Sequence, residues 1–168
     1  MLKVTLFGTP QVALHQHNLT ADLAGRPIAL LAYLAVTGQA HDRNLLADLL
    51  WAEVAEAEAR RNLRNTLYLL RQAVGDYLRT DRQRVALDAT RPRWVDVAVF
   101  AEQFANGYQR YPAEVVQEAF DLYQGDFLAG LHINDAPAFE SWVAARRHQL
   151  QEQAFHGWHW LANHWRNV

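Results

Sequence analysis

The chain of 168 residues contains no cysteine, which excludes a disulfide framework and thiolate metal sites and fits a reducing compartment. Long apolar runs are also missing. The longest, "IALLAYLAV" from Ile28 to Val36, has nine residues, whereas a bilayer span needs about 20. "MLKVTLFG" has one Lys and no extended apolar segment behind it, so no secretory signal is expected. Glycine and proline are sparse, at 8 and 5 residues, against 51% hydrophobic residues, which is globular composition and not a disordered or fibrous one. No G-x-S-x-G, H-E-x-x-H, P-loop or Rossmann glycine pattern occurs, so the sequence offers no residues on which catalysis would rest. The expectation is a soluble cytoplasmic protein that is not an enzyme, with no cofactor, no metal and no membrane contact.

What is present is an uneven charge. Residues 1 to 93 carry a net +3 and residues 94 to 168 a net −5. Between Arg60 and Arg93 there are nine arginines against three acids, and such local clustering, more than total charge, favours a polyanionic partner.

Apolar spacing divides the chain. "LKVTLFGTPQVAL" alternates on both sides of Gly8-Thr9-Pro10 and predicts two short strands around a turn. "HQHN" (His15 to Asn18) reads as a polar loop beside them. A helix is predicted from Arg26 to Val36 with Gly38 as its stop. A second follows from Asp42 as cap through "RNLLADLLWAE", with Glu53, Glu56 and Glu58 as a solvated lead-in to a third. That third helix carries Leu63, Leu67, Leu70 and Val74 at i, i+4, i+7 and i+11 and ends at Gly75. "YLRT" and "VALD", joined by "DRQR", predict a hairpin without a turn glycine. Beyond "ATRPRWVDV" the chain reads as helix after helix: "AVFAEQFANGY", "PAEVVQEAFDLYQ", "PAFESWVAARRHQLQEQ" and "AFHGWHWLANHW", with "QGDFLAGLHIND" as an irregular joint. A domain boundary is expected near Arg93 to Asp96.

On the third helix, at about 100° per residue, the Leu/Val stripe spans about 60° while Arg61, Arg64, Asn65, Tyr68 and Gln72 fall opposite it. No acid occurs between Ala59 and Gly75, whereas a merely solvated face usually mixes signs. Arg, Asn and Gln match base edges in the major groove, and Arg and Tyr also reach phosphates. The order strand, strand, helix, helix, arginine helix, basic hairpin is that of a winged helix-turn-helix with strands in front. On this reading Arg61, Arg64, Asn65 and Tyr68 face base edges. Arg43, Arg60, Arg71, Arg79, Arg82 and Arg84 hold phosphates or enter the minor groove.

"ALLAYLAV", "LLADLLWAE", "ARRNLRNTLYLLRQAVGD" and "WVDVAVFAEQF" resemble, in order, the OmpR-type winged helix of the Streptomyces antibiotic regulatory protein (SARP) family. "LYQGDFLAGLHINDAPAFESWVAARRHQL" is similar to the opening of the bacterial transcriptional activator domain that follows it there. The resemblance implies a mostly α fold with small β elements. Residues 1 to 93 would be an OmpR-type winged-helix DNA-binding domain, and residues 96 to 168 the N-terminal part of an all-α, TPR-like domain. It implies a transcription regulator, an activator that binds double-stranded DNA at direct repeats near promoters and meets RNA polymerase; self-association, on DNA or through the C-terminal helices, is a further option that the sequence leaves open. Recognition helices of that family usually carry basic residues where this chain has Leu69 and Gln72, and often where it has Asn65. That departure supports an alternative: a non-DNA-binding interaction module of a larger signalling protein.

In the last segment His156, His159 and His164 alternate with Trp158, Trp160 and Trp165. Only His156 and His159 share a face, a poor metal spacing. Phe155, Trp158, Leu161 and Trp165 instead form an apolar stripe. In a TPR-like array such a stripe needs a partner, either a following repeat or another chain.

Overall fold

The computed structural model describes residues 1–105 and 107–166. The first sheet has the strand order β3-β2-β1-β7. Strands β1 (Leu2–Thr5) and β2 (Gln11–Leu14) pair antiparallel, β2 pairs with β3 (His17–Asn18), and β7 (Arg93–Val95) lies parallel to β1. Alternation sets its faces: Leu2, Val4 and Val12 are buried, while Lys3 is exposed and stacks over Trp94, its partner across the β1–β7 pair.

Between β3 and β7 lie three helices and a second sheet. Helix α1 (Arg26–Thr37) ends at Gly38, whose φ of 65° is left-handed and whose N–H returns to the Leu34 carbonyl. Strand β4 (His41–Asp42) leads into α2 (Arg43–Leu50), where the Asp42 carboxylate accepts the Asn44 N–H over 2.7 Å. Helix α3 (Glu56–Val74) buries the expected Leu63, Leu67, Leu70 and Val74, together with Ala59 and Thr66. Each of the leucines contributes about 1.5 to 3 kcal/mol by leaving water. Strands β5 (Leu78–Thr80) and β6 (Arg84–Leu87) form the predicted hairpin, and β4 adds to it in the order β4-β6-β5. Three helices closed by a three-stranded hairpin sheet form the winged helix-turn-helix arrangement, followed by a mostly helical region.

That region comprises α4 (Asp96–Ala105), α5 (Ala113–Asp121) and α6 (Pro137–Arg166). Stretches 137–153 and 154–165, expected as separate helices, are one helix of 30 residues. The sequence has no proline or cap between them. Gly157 lies within this helix, where the Phe120 ring packs so close that a Cβ would collide with its Cζ.

"HQHN" also departs from expectation. His15 and Gln16 take φ of 49° and 72°, turning the chain so that His17 and Asn18 pair with Leu14 and Ala13.

The stretch 93–96 is a joint between the halves. Beyond the β1–β7 pair, the buried Asp96 carboxylate accepts the N–H groups of Leu6 and Phe7 at 2.9 Å and of Val97 at 2.8 Å. Burial pushes this carboxyl above the usual range, and the backbone N–H groups pull it back. The irregular 124–135 segment adds main-chain bonds, Gly8 N–H to Asp126 O at 3.0 Å and Leu128 N–H to Leu6 O at 2.8 Å. One hydrophobic cluster runs from Leu2 to Leu161 through both halves.

Candidate nucleic-acid interface

Helix α3 presents Arg60, Arg61, Arg64, Asn65, Tyr68, Leu69, Arg71 and Gln72 to solvent. Tyr68 is 64% and Leu69 48% exposed, so the outward face combines cations and amides with an apolar edge.

The ten residues expected to touch DNA fall into three groups by what they already hold. Arg43, Arg71 and Arg79 are engaged within the fold. Arg43 donates to the Asp81 carbonyl at the hairpin turn over 2.8 Å, and its own N–H goes to Gln83 O over 2.8 Å. Arg71 donates to Leu78 O at 3.2 Å and Thr80 Oγ1 at 2.9 Å, fastening α3 to β5. Arg79 pairs with the buried Asp88 carboxylate at 2.8 Å. Thr90 and Arg79 together hold the Asp88 carboxyl down at about 2.

Arg60 and Arg61 pair with acids one turn back on the same helix. Arg60 bonds Glu56 and also reaches Asn44 Oδ1 at 3.3 Å, while Arg61 lies 3.7 Å from Glu58. These pairs are exposed, so each is worth only about 0.3 to 0.5 kcal/mol. An incoming phosphate competes easily with such pairs.

Among the described residues, the side chains of Arg64, Asn65, Tyr68, Arg82 and Arg84 make no hydrogen bond or ion pair with the protein. Their polar groups are solvated and available.

Arg43, Asn44, Arg60, Leu63, Arg64 and Arg82 line one cleft of about 460 Å³, where the start of α2, the α3 face and the hairpin turn meet. Four guanidiniums and no carboxylate border it. A second depression, beside the hairpin, mixes Arg71, Arg79, Arg84 and Arg91 with Asp76, Asp81 and Asp88, so most of its charge cancels. Asn44 was not foreseen from the sequence; its place two residues after the Asp42 cap was the available signal.

The hairpin turns without glycine because Asp81 Oδ1 accepts the N–H groups of Gln83 and Arg84, both at 2.7 Å. Those two bonds hold the Asp81 carboxyl below the usual range, with the guanidiniums of Arg84 and Arg43 adding to the effect. Arg82 therefore sits at the tip of a fixed turn.

No family model matches the sequence, and no curated protein matches it. Among solved structures, Mycobacterium tuberculosis EmbR in complex with a low affinity phosphopeptide superposes with a TM-score of 0.68 over 90% of this chain, at 17% identity. The two share a fold. The chain spans 43% of the length of that EmbR chain. None of the described helices is long and apolar enough to cross a membrane, and the described residues contain no group of three metal-ligating side chains. His156 Nε2 lies 3.8 Å from the Glu152 carboxylate, one turn back on the same helix.

Proposed function

We propose that the chain is a sequence-specific DNA-binding transcription regulator. Residues 1 to 93 form its OmpR-type winged-helix domain, and residues 96 to 168 the N-terminal part of a TPR-like activator domain. The observation that carries the reading is the cleft in which Arg43, Arg60, Arg64 and Arg82 converge from α2, α3 and the hairpin turn. Phosphates supply the affinity of such a site and base edges its specificity. On this reading Arg64, Asn65 and Tyr68, with Arg61 released from Glu58, read bases. Arg43, Arg60 and Arg82 hold the backbone in the same reading, with Arg84 on the hairpin joining them. Arg71 and Arg79 contribute by fixing the hairpin, a narrower role than direct contact.

The sequence resemblance to the SARP family adds direct repeats near promoters as the target and RNA polymerase as the protein partner. Self-association belongs to the same reading, on DNA or through α6.

Fluorescence anisotropy against duplexes from the chain's own upstream region and a scrambled control, at several salt concentrations, tests this. Preferential binding that weakens steeply with salt is expected.

A second reading, a protein-interaction module without DNA binding, is favoured by the exposed Leu69 beside Tyr68 and by the internal engagement of Arg43, Arg71 and Arg79. Equal or absent binding to both duplexes would select it.

A further inference from the structure

The solvent face of α3 carries two columns of different chemistry. At about 100° per residue, Asn65, Leu69 and Gln72 fall within about 60° of one another, at i, i+4 and i+7 and turned away from the buried stripe. Arg60, Arg64 and Arg71 fall on a separate flank, where Arg60 and Arg64 border the cleft and Arg71 reaches the hairpin. Arg61 and Tyr68 lie between the two. One column is cationic and adjoins the hairpin; the other holds no charge.

Nothing in the fold accounts for the uncharged column. Leu69 is 48% exposed and stands outside the hydrophobic cluster, whereas every other leucine of α3 is buried. Asn65 and Gln72 are exposed, and among the described residues their amides make no hydrogen bond with the protein. A lone exposed leucine needs no explanation, but this one stands a single helical turn from an unpaired amide on either side.

The column's side chains discriminate between base pairs. A carboxamide matches the N6 and N7 edge of adenine, an apolar group matches the 5-methyl of thymine, and guanine is matched by arginine or lysine. The column offers the first two and lacks the third. From Asn65 to Gln72 it runs about 10 Å along the helix, close to three base-pair steps.

We infer, resting on the DNA-binding reading, that this column specifies a short A·T block within the target, with a thymine methyl against Leu69 and adenines at Asn65 and Gln72. Leu69 is then a specificity-determining residue, and the cationic column supplies affinity beside it.

The test is selection of a randomised duplex library by the full chain, followed by anisotropy on the duplex selected. The wild-type chain is expected to enrich an A·T block of about three base pairs. Replacing each thymine of that block in turn by deoxyuridine removes only a methyl group. At one position it is expected to weaken wild-type binding about fourfold, the worth of one buried methyl. Leu69→Ala, at an exposed side chain outside the core, is expected to bind the thymine and uracil duplexes equally. Leu69→Arg is expected to enrich a G·C pair in place of that T·A pair, a change of preference that lost stability cannot produce. No enrichment of any duplex by the wild-type chain overturns the DNA-binding reading and the inference with it. Enrichment of a sequence without the A·T block overturns the inference alone. So does a wild-type affinity indifferent to every uracil, a uracil loss as large in Leu69→Ala as in wild type, or an unaltered preference in Leu69→Arg.

Discussion

The guanidinium of Arg71 donates to the Thr80 hydroxyl over 2.9 Å and to the Leu78 carbonyl over 3.2 Å, tying α3 to the first strand of the hairpin. Arg71→Ala removes this tie. It is expected to lower stability by about 1 kcal/mol and to speed hydrogen exchange at residues 78–80. Arg84→Ala, whose side chain holds nothing in the fold, is expected to leave both unchanged. Equal exchange in the two variants would refute the distinction.

For DNA binding, Arg64→Ala is expected to cost about 1 to 3 kcal/mol at one base position and to relax specificity there. Arg82→Ala is expected to weaken all duplexes alike and to reduce the salt slope by about one. Anisotropy on single-base operator variants separates the two, and identical loss for both arginines on every duplex would contradict the assigned roles.

The contrast among the arginines marks what the sequence could and could not convey. The buried stripe of α3, the Gly38 and Gly75 stops and the Asp42 cap were legible because period, turn chemistry and capping act within a few residues of chain. The engagements of Arg43 with Asp81 O and of Arg71 with Leu78 O were not, since a surface arginine gives no local sign of which carbonyl it will meet. The β1–β7 pairing escaped for the same reason, its partners being some 90 residues apart. The continuity of α6 escaped because no local signal tells two abutting helical stretches from one, and packing at a distance in sequence, such as that of Gly157 against the Phe120 ring, decides it.

Gly157→Ala gives a direct measure of that packing. Alanine raises helix propensity by about 1 kcal/mol, yet its methyl would collide with the Phe120 ring and crowd Phe104. Net destabilisation of about 1 to 3 kcal/mol is expected, read from urea midpoints. A more stable variant would show that the contact yields without strain.

His41 makes stability depend on pH. The ring is buried, 4.8 Å from the Tyr33 ring. The Thr37 hydroxyl donates to Tyr33 O at 2.8 Å, so His41 Nε2, 2.7 Å away, is the donor to Thr37. Burial lowers its pKa. The folded state therefore prefers the neutral ring, and its stabilising contribution is present above the unfolded value of about 6.5 and lost as pH falls below it. Thermal midpoints from about pH 8 to about pH 5 should decline in the wild-type chain, and His41→Gln should flatten the His-linked part of that decline. An unchanged slope would place the acid sensitivity elsewhere.

The parallel seating of β7 on β1 also sets an order of events at the ribosome. Strand β1 meets β2 within a few residues, but its other edge stays open until residues 93 to 95 have been synthesised, and the Leu6 amide waits 90 residues for the Asp96 carboxylate. At about 5 to 20 residues per second, that edge is unpaired for several seconds of translation. A nascent chain halted before β7 would hold three helices and a hairpin beside an unfinished sheet, a species open to proteases and to pairing with other strands.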